Sequence, residues 1–170
     1  MGRGIACGRR AAALRVDPGR RRARSHPRCS QEHLPVRTLE LSIRTGSSRG
    51  LFDLTGACAR FVATETDGFL NVFVPHATAG LVVVEIGAGS DDDLLAALDR
   101  LLPRDDRIYR HRHGSPGHGA DHVVPLLAPP SLVVPVVGGG LSLGTWQSIC
   151  LLDPNGDNGT RTVRLAFLAG

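Results

Sequence analysis

The sequence predicts an α+β protein, a mainly antiparallel β-sheet or sandwich packed against one long helix and one or two short ones. Three observations lead there. Six or seven stretches alternate apolar and polar residues or form short continuous apolar runs, the marks of half-buried and fully buried strands. One stretch carries helix start and stop signals around a 3.6-residue apolar stripe. The strands follow one another through glycine-rich turns with no strand–helix–strand rhythm, so a parallel, doubly wound sheet is set aside. With 170 residues, 42% of them hydrophobic, the chain suffices for one domain with its own core.

The elements follow in order. "TLELSIRT" alternates Leu39, Leu41 and Ile43 on one face, a half-buried strand. "DLTGACARFVAT" opens on cap-type residues and predicts a short helix. "GFLNVFVPHATAGLVVVEIG" holds two strands, the first alternating Leu70, Val72 and Val74, the second the buried run Leu81–Ile86. "SDDDLLAALDRLLP" is the long helix. Ser90 is its expected N-cap, Asp91, Asp92 and Asp93 load the positive end of the dipole, and Pro103 stops it. Its apolar stripe is Leu94, Leu95, Leu98, Leu101 and Leu102. "SLVVPVVGGGLSLGTWQSICLLD" reads as strands around a glycine turn, "PNGDNG" as a hairpin-type turn, and "RTVRLAFL" as a closing strand with Val163, Leu165 and Phe167 inward.

Charge divides the chain. Residues 1–33 hold nine arginines against Asp17 and Glu32, while the remainder has eleven arginines and fourteen carboxylates. Residues 1–35 therefore read as a disordered, Arg-rich N-terminal extension, and 36–170 as a single domain. The net charge of +4 belongs to the tail, so nucleic-acid binding is not expected of the domain. Cys7, Cys29, Cys58 and Cys150 form no Cys-x-x-Cys pair, consistent with thiols in a reducing compartment. No apolar run reaches the ~20 residues of a membrane span. Asp17 and Pro18 interrupt any secretory h-region, so a cytoplasmic location is expected.

Four of the seven histidines, His111, His113, His118 and His122, fall within "HRHGSPGHGADH". His113 and His118 lie among glycines and read as solvated loop residues. Asp121 is placed to orient the neighbouring His122. His76, in "VPHATAGLVVVE", sits where one strand ends and the next begins, with small residues leaving room for a ligand or ion. Glu85 lies inside "LVVVEIG", where an unpartnered carboxylate is costly to bury. It must be paired, metal-linked, or on the exposed face of an edge strand, and alternation with Leu81 and Val83 favours the first two. Trp146, between Thr145 and Gln147, reads equally as core or as pocket wall. "VVGGGL" lacks the strand–loop–helix context of a phosphate loop.

Taken together, "HATAGLVVVE", Asp93 in "SDDDLL", "YRH" at Tyr109–His111, His122 in "ADHVV", and "LGTWQSICL" resemble the signatures of the YjbQ-like family. The resemblance runs from about Thr38 to Leu168. It implies a compact α+β fold assembling as a homotrimer, with its site near the subunit interface. It further implies His76, His111 and His122 as ligands of a divalent ion, zinc or magnesium. Glu85 and Asp93 become the catalytic acids, and Thr78, Thr145, Trp146 and Gln147 the wall for a small-molecule substrate. The activity it implies is a secondary thiamine-phosphate synthase, which joins a hydroxymethylpyrimidine pyrophosphate to a thiazole phosphate. Three positions depart from the pattern: Ala77 replaces a threonine, Val84 an asparagine, and His118 falls where an acid is expected. The residues also admit a metal-dependent hydrolase with Glu85 or Asp93 as base, or a non-catalytic metal- or small-molecule-binding trimer.

Overall fold

Alternation becomes strand wherever one face can be buried. The computed structural model describes residues 36–170; the Arg-rich segment 1–35 lies outside them. In order, the elements are β1 (Arg37–Arg44), β2 (Gly50–Asp53), α1 (Thr55–Val62), β3 (Gly68–Phe73), β4 (Gly80–Val84) and α2 (Ser90–Leu101), then α3 (His118–Asp121), β5 (Ser131–Val137), β6 (Gly140–Leu141), β7 (Ser148–Asp153) and β8 (Thr160–Ala169). A single 3₁₀ turn spans Val124–Leu126. The expected α+β class holds, and every strand pair is antiparallel.

Two sheets share the strands. The larger runs β1-β8-β3-β5-β6 and the smaller β2-β7-β4. Between them lies the main core: Leu70, Val72, Val134, Val163, Leu165 and Phe167 from the large sheet meet Leu81, Ile149 and Leu151 from the small one, with Cys58, Phe61 and Val62 of α1 alongside. A second cluster covers the other face of the small sheet. There Leu98 of α2 packs with Val124, Ala128 and Leu152, backed by Val82, Leu94, Leu95 and Leu102. This double cover explains the start of the apolar run "LVVV": Leu81 faces one cluster and Val82 the other, while Val83 already stands exposed. Burying a side chain such as Leu81 stabilises by about 1.5–3 kcal/mol, so both faces contribute.

Four local readings change. β2, four residues long, is too short for periodicity to reveal. The N-cap of α2 is Gly89 at φ +94, one residue before the expected Ser90, because Gly87, Ala88 and Gly89 turn the chain through successive left-handed conformations. Leu101 points to solvent at 67% exposure, since the stripe outlasts the sheet it packs on. Most consequential, "PNGDNG" is no hairpin. It carries the chain from β7 in the small sheet to β8 in the large one. The glycine turn, by contrast, is a true hairpin: Gly138 and Gly139 at φ +55 and +76 join Val137 to its partner Gly140. Among the described residues, no helix is long and apolar enough to cross a membrane.

Candidate metal centre

The segment from Pro103 to Gly117 is folded back on itself by three carboxylates. Asp105 takes the Arg107 guanidinium, Asp106 accepts the Gly117 amide at 3.0 Å, and Asp121 pairs with Arg104. These bonds begin α3 at His118, and one turn later stands His122. Residues four apart share a helix face. His118 Nε2 and His122 Nε2 therefore stand 3.0 Å apart.

All four histidine rings of the stretch converge. The His111 ring centre lies 4.0 Å from that of His113, 4.2 Å from His122 and 5.4 Å from His118. His118, expected in solvent, is only 8% exposed. The glycines that suggested a mobile loop instead let it press inward. Gly114, at φ +85, leaves space that a Cβ would fill 2.7 Å from His118 Nδ1 and 2.9 Å from Asp157 Oδ2.

A buried polar network holds the rings from behind. Asp157 Oδ2 lies 2.8 Å from His118 Nδ1. Its carboxyl is held down to about 2, first by hydrogen bonding to Ser115 and then by His118 and Asn155. An ionised Asp157 favours the tautomer in which His118 Nδ1–H donates a hydrogen bond to it, which leaves the Nε2 lone pair of His118 facing His122. Asn155 is oriented by its own bonds: Oδ1 accepts the Asp157 amide at 3.0 Å, and Nδ2 donates to Asp121 Oδ2 at 2.9 Å. Asp121 is fully buried and spends its oxygens on Arg104 and Asn155, so it does not orient His122 as expected. Further in, Arg161 Nε and Nη2 donate to the buried Asp153 at 2.7 and 2.8 Å.

The donor set fits a metal ion. One ligand atom from each of His111, His118 and His122 falls within 4.8 Å of the others. Two imidazole nitrogens each about 2.0–2.1 Å from one ion, at angles between octahedral and tetrahedral, stand roughly 2.9–3.4 Å apart. The 3.0 Å between His118 and His122 lies in that range. His111 Nε2 is shut off from solvent and has no hydrogen-bond partner among the described residues, a costly state for a ring nitrogen unless something binds it. His111 and His122 are also pushed below the ordinary imidazole range, by desolvation first and then by the neighbouring imidazoles. Metals take the neutral form that this favours.

The residues singled out from sequence separate into two groups. His111 and His122 join the cluster; His76 does not. His76 Nε2 accepts the Thr162 amide at 2.9 Å, and its pKa is lowered, by burial first and then by Arg161, against the opposing pull of Asp153. Thr78 is buried between β3 and β4. Glu85 is exposed: β4 is an edge strand and ends at Val84, so alternation never reaches Glu85. Asp93 is exposed in the first turn of α2. Thr145, Trp146 and Gln147 are exposed before β7, with Gln147 Oε1 accepting the Gly144 amide at 2.8 Å. Val84 pairs with Ser148 and Gly80 with Leu152, so Glu85 and Gln147 lie at one end of β7 and Asp153 at the other. Six strand residues separate those ends by about 17 Å.

Sequence reasoning missed His118, Asn155, Asp157 and Arg104. For Asn155 and Asp157 the signal lay in "DPNGDNG", whose Asx residues the sequence reading takes only for their turn chemistry.

The model for the family described as "UPF0047 protein YjbQ-like" matches residues 39–170. The chain belongs to the YjbQ-like family. A UPF0047 protein of Mycobacterium tuberculosis H37Rv is 60% identical, over 72% of this chain and 91% of that protein. One from Archaeoglobus fulgidus is 34% identical, over 74% and 97%. Among solved structures, a hypothetical protein from Aeropyrum pernix K1 superposes with a TM-score of 0.71 at 30% identity, covering 79% of this chain and 99% of its own. A YbjQ-like protein of unknown function from Sulfolobus solfataricus P2 reaches the same TM-score at 23% identity, a likeness of fold. Within the family pattern, His118 is the departure with structural consequence. Where an acid was expected, this chain places a third imidazole in the cluster.

Proposed function

We propose that the chain is a metal-dependent enzyme acting on a phosphorylated small molecule, its ion held by His111, His118 and His122. One observation carries the reading: three imidazoles converge on a point where His111 Nε2 has neither solvent nor partner. A divalent ion there supplies positive charge to neutralise a departing phosphate or pyrophosphate. The chain's residues supply the rest. Asp157 holds the His118 tautomer, Asn155 and Arg104 hold Asp157 and Asp121 in register, and the loop keeps the rings together.

Beside the cluster an open pocket of about 230 Å³ is lined by Asp106, Arg112, His113, Gly114, Ser115 and Pro116. Arg104 and Arg107 are engaged by Asp121 and Asp105. The Arg112 guanidinium, which bonds the Tyr109 carbonyl, remains for a substrate anion. One arginine at the pocket suits a single phosphate better than the two phosphorylated partners of a thiamine-phosphate synthase. We therefore place that synthase activity second, as a slow side reaction, and a metal-dependent hydrolase of a phosphorylated compound first.

The reading includes a homotrimer. Phe69 faces Leu168 and Pro135 across the large sheet, so these residues share its outer face with Val133 and Val137. Phe69, Val133, Val137 and Leu168 are all exposed, and contiguous apolar surface of this kind marks an association face. In such an assembly a neighbouring copy can bring Glu85, Asp93 and Thr145–Gln147 to the cluster that they cannot reach within one chain.

Metal analysis of purified protein tests the centre. Wild type and His76→Ala are expected to carry one ion per chain, and His111→Ala and His122→Ala to lose it. Wild type without stoichiometric metal sinks the reading. Phosphatase assays and a coupled thiamine-phosphate assay then rank the two reactions.

A further inference from the structure

We propose that His113 is a fourth, displaceable nitrogen donor to this centre, and that the ion it admits is a late first-row divalent metal and not magnesium. The proposal rests on the metal reading above and extends it to a residue outside the converging three.

Position comes first. The His113 ring centre is 4.0 Å from His111, 5.0 Å from His118 and 6.3 Å from His122. It is the most distant ring from His122 and stands in solvent beside the converging three, nearest to His111. It also lines the pocket that holds Arg112. Among the four imidazoles it alone faces both the cluster and the pocket. A donor so placed closes the coordination sphere until a ligand entering from the pocket takes its position.

The backbone keeps it there. Gly114 follows at φ +85, and its missing Cβ lets the loop approach within contact of His118 Nδ1 and Asp157 Oδ2. Any larger residue pushes the loop, and His113 with it, off the centre. Ser115 then ties the loop down, its amide donating to Asp157 Oδ2 at 3.3 Å.

The choice of ion follows from what is left to bind it. Every nearby carboxylate is already engaged: Asp121 with Arg104 and Asn155, Asp157 with His118 and Ser115, Asp106 with the Gly117 amide. Among the described residues, the group that converges closely enough to hold an ion is made of imidazoles alone. Magnesium demands oxygen donors and keeps its waters, whereas cobalt, nickel, copper and zinc bind imidazole well.

Cobalt reports coordination number through its visible absorption, so the probe is Co²⁺ added to metal-free protein near pH 7.5, followed by absorbance and calorimetry. Wild type is expected to bind one Co²⁺ per chain with an intense, four-coordinate band. His113→Ala is expected to bind one equivalent at least about tenfold more weakly, with a fainter band as waters enter and raise the coordination number above four. Free imidazole should restore the band in that variant. Excess Mg²⁺ should displace nothing. Equal affinity and identical spectra for wild type and His113→Ala overturn the fourth donor while leaving the three-histidine centre intact. Displacement of Co²⁺ by equimolar Mg²⁺ overturns the ion class. Failure of wild type to bind Co²⁺ or Zn²⁺ overturns the centre itself, and this proposal with it.

Discussion

The two ends of β7 are built on opposite plans. At its C-terminal end Asp153, Asn155, Asp157, Arg161, Asp121 and Arg104 form a hydrogen-bonded network, most of it buried, that ends on His118. At its N-terminal end Thr145, Trp146 and Gln147 stand in solvent beside Glu85, with Trp146 72% exposed. Both ends carry residues that the family resemblance marks for function. The contrast teaches that one end has its polar groups paired within a single chain, behind the imidazoles, while the other leaves its polar and aromatic groups in solvent. Rigidity costs a buried ion pair and its desolvation; openness costs an exposed indole.

The largest effect should come from breaking the finished end. Asp153 and the Arg161 side chain are essentially fully buried and paired in two bonds. Removing one partner leaves the other charge buried alone. Asp153→Ala is expected to lose about 3–5 kcal/mol of folding stability, measured by urea denaturation. A loss below about 1 kcal/mol would show that water reaches Arg161 and that the network is less closed than its geometry.

Next comes the link from network to rings. Asp157 is partly exposed, so its loss should leave the fold standing, yet it sets the tautomer of His118. Asp157→Ala is expected to weaken Zn²⁺ binding about 10–100-fold, as orienting partners of ligating histidines generally do. Calorimetry on the metal-free variant reads this directly. Unchanged affinity would mean that His118 is held by α3 alone.

The same contrast explains what could be read from sequence. Strands β1, β3 and β8 were legible because one face of each is buried, and alternation encodes that. Helix α2 was legible through its aspartates and leucine stripe. The site was only half legible. His111 and His122 stood out by motif, but His118 was hidden because the glycines around it signal mobility and close packing alike. Asn155 and Asp157 were hidden because Asx residues make the same local turns whether or not their side chains also reach a histidine distant in sequence, 37 and 39 residues away. Glu85 was misplaced because alternation cannot say where a strand stops.

A smaller, graded effect should follow pH. His111 and His122 are depressed below the ordinary value near 6.5. The unfolded chain therefore binds more protons than the folded one as pH falls. The histidine contribution to stability is complete above about 6.5 and is lost as pH drops through the lowered folded values. Melting temperature of the metal-free protein should be flat from pH 8 to 7 and decline below 6.5, with ion uptake declining in parallel. A triple variant lacking His111, His118 and His122 should lose that slope. A slope that persists would assign it to His76, which is also lowered.

The smallest effect on the single chain should come from the open end, and there smallness is the informative outcome. Glu85 and Trp146 are exposed, and neither the core nor the network leans on them. Glu85→Gln and Trp146→Ala are expected to change folding stability by no more than about 0.5 kcal/mol at protein concentrations low enough to hold the chain monomeric. If a neighbouring copy covers this end, stability at high concentration should fall in Trp146→Ala while the dilute value stays put, because assembly links stability to concentration. Sedimentation equilibrium of wild type beside Trp146→Ala and Val133→Arg separates the two surfaces. If the proposed trimer forms through the large sheet, Val133→Arg should disperse it, and Trp146→Ala should loosen it only if the indole is buried in the assembly. A Trp146→Ala protein that assembles and melts like wild type at every concentration would leave the indole free to meet substrate instead, and the open end would then be the mouth of the site.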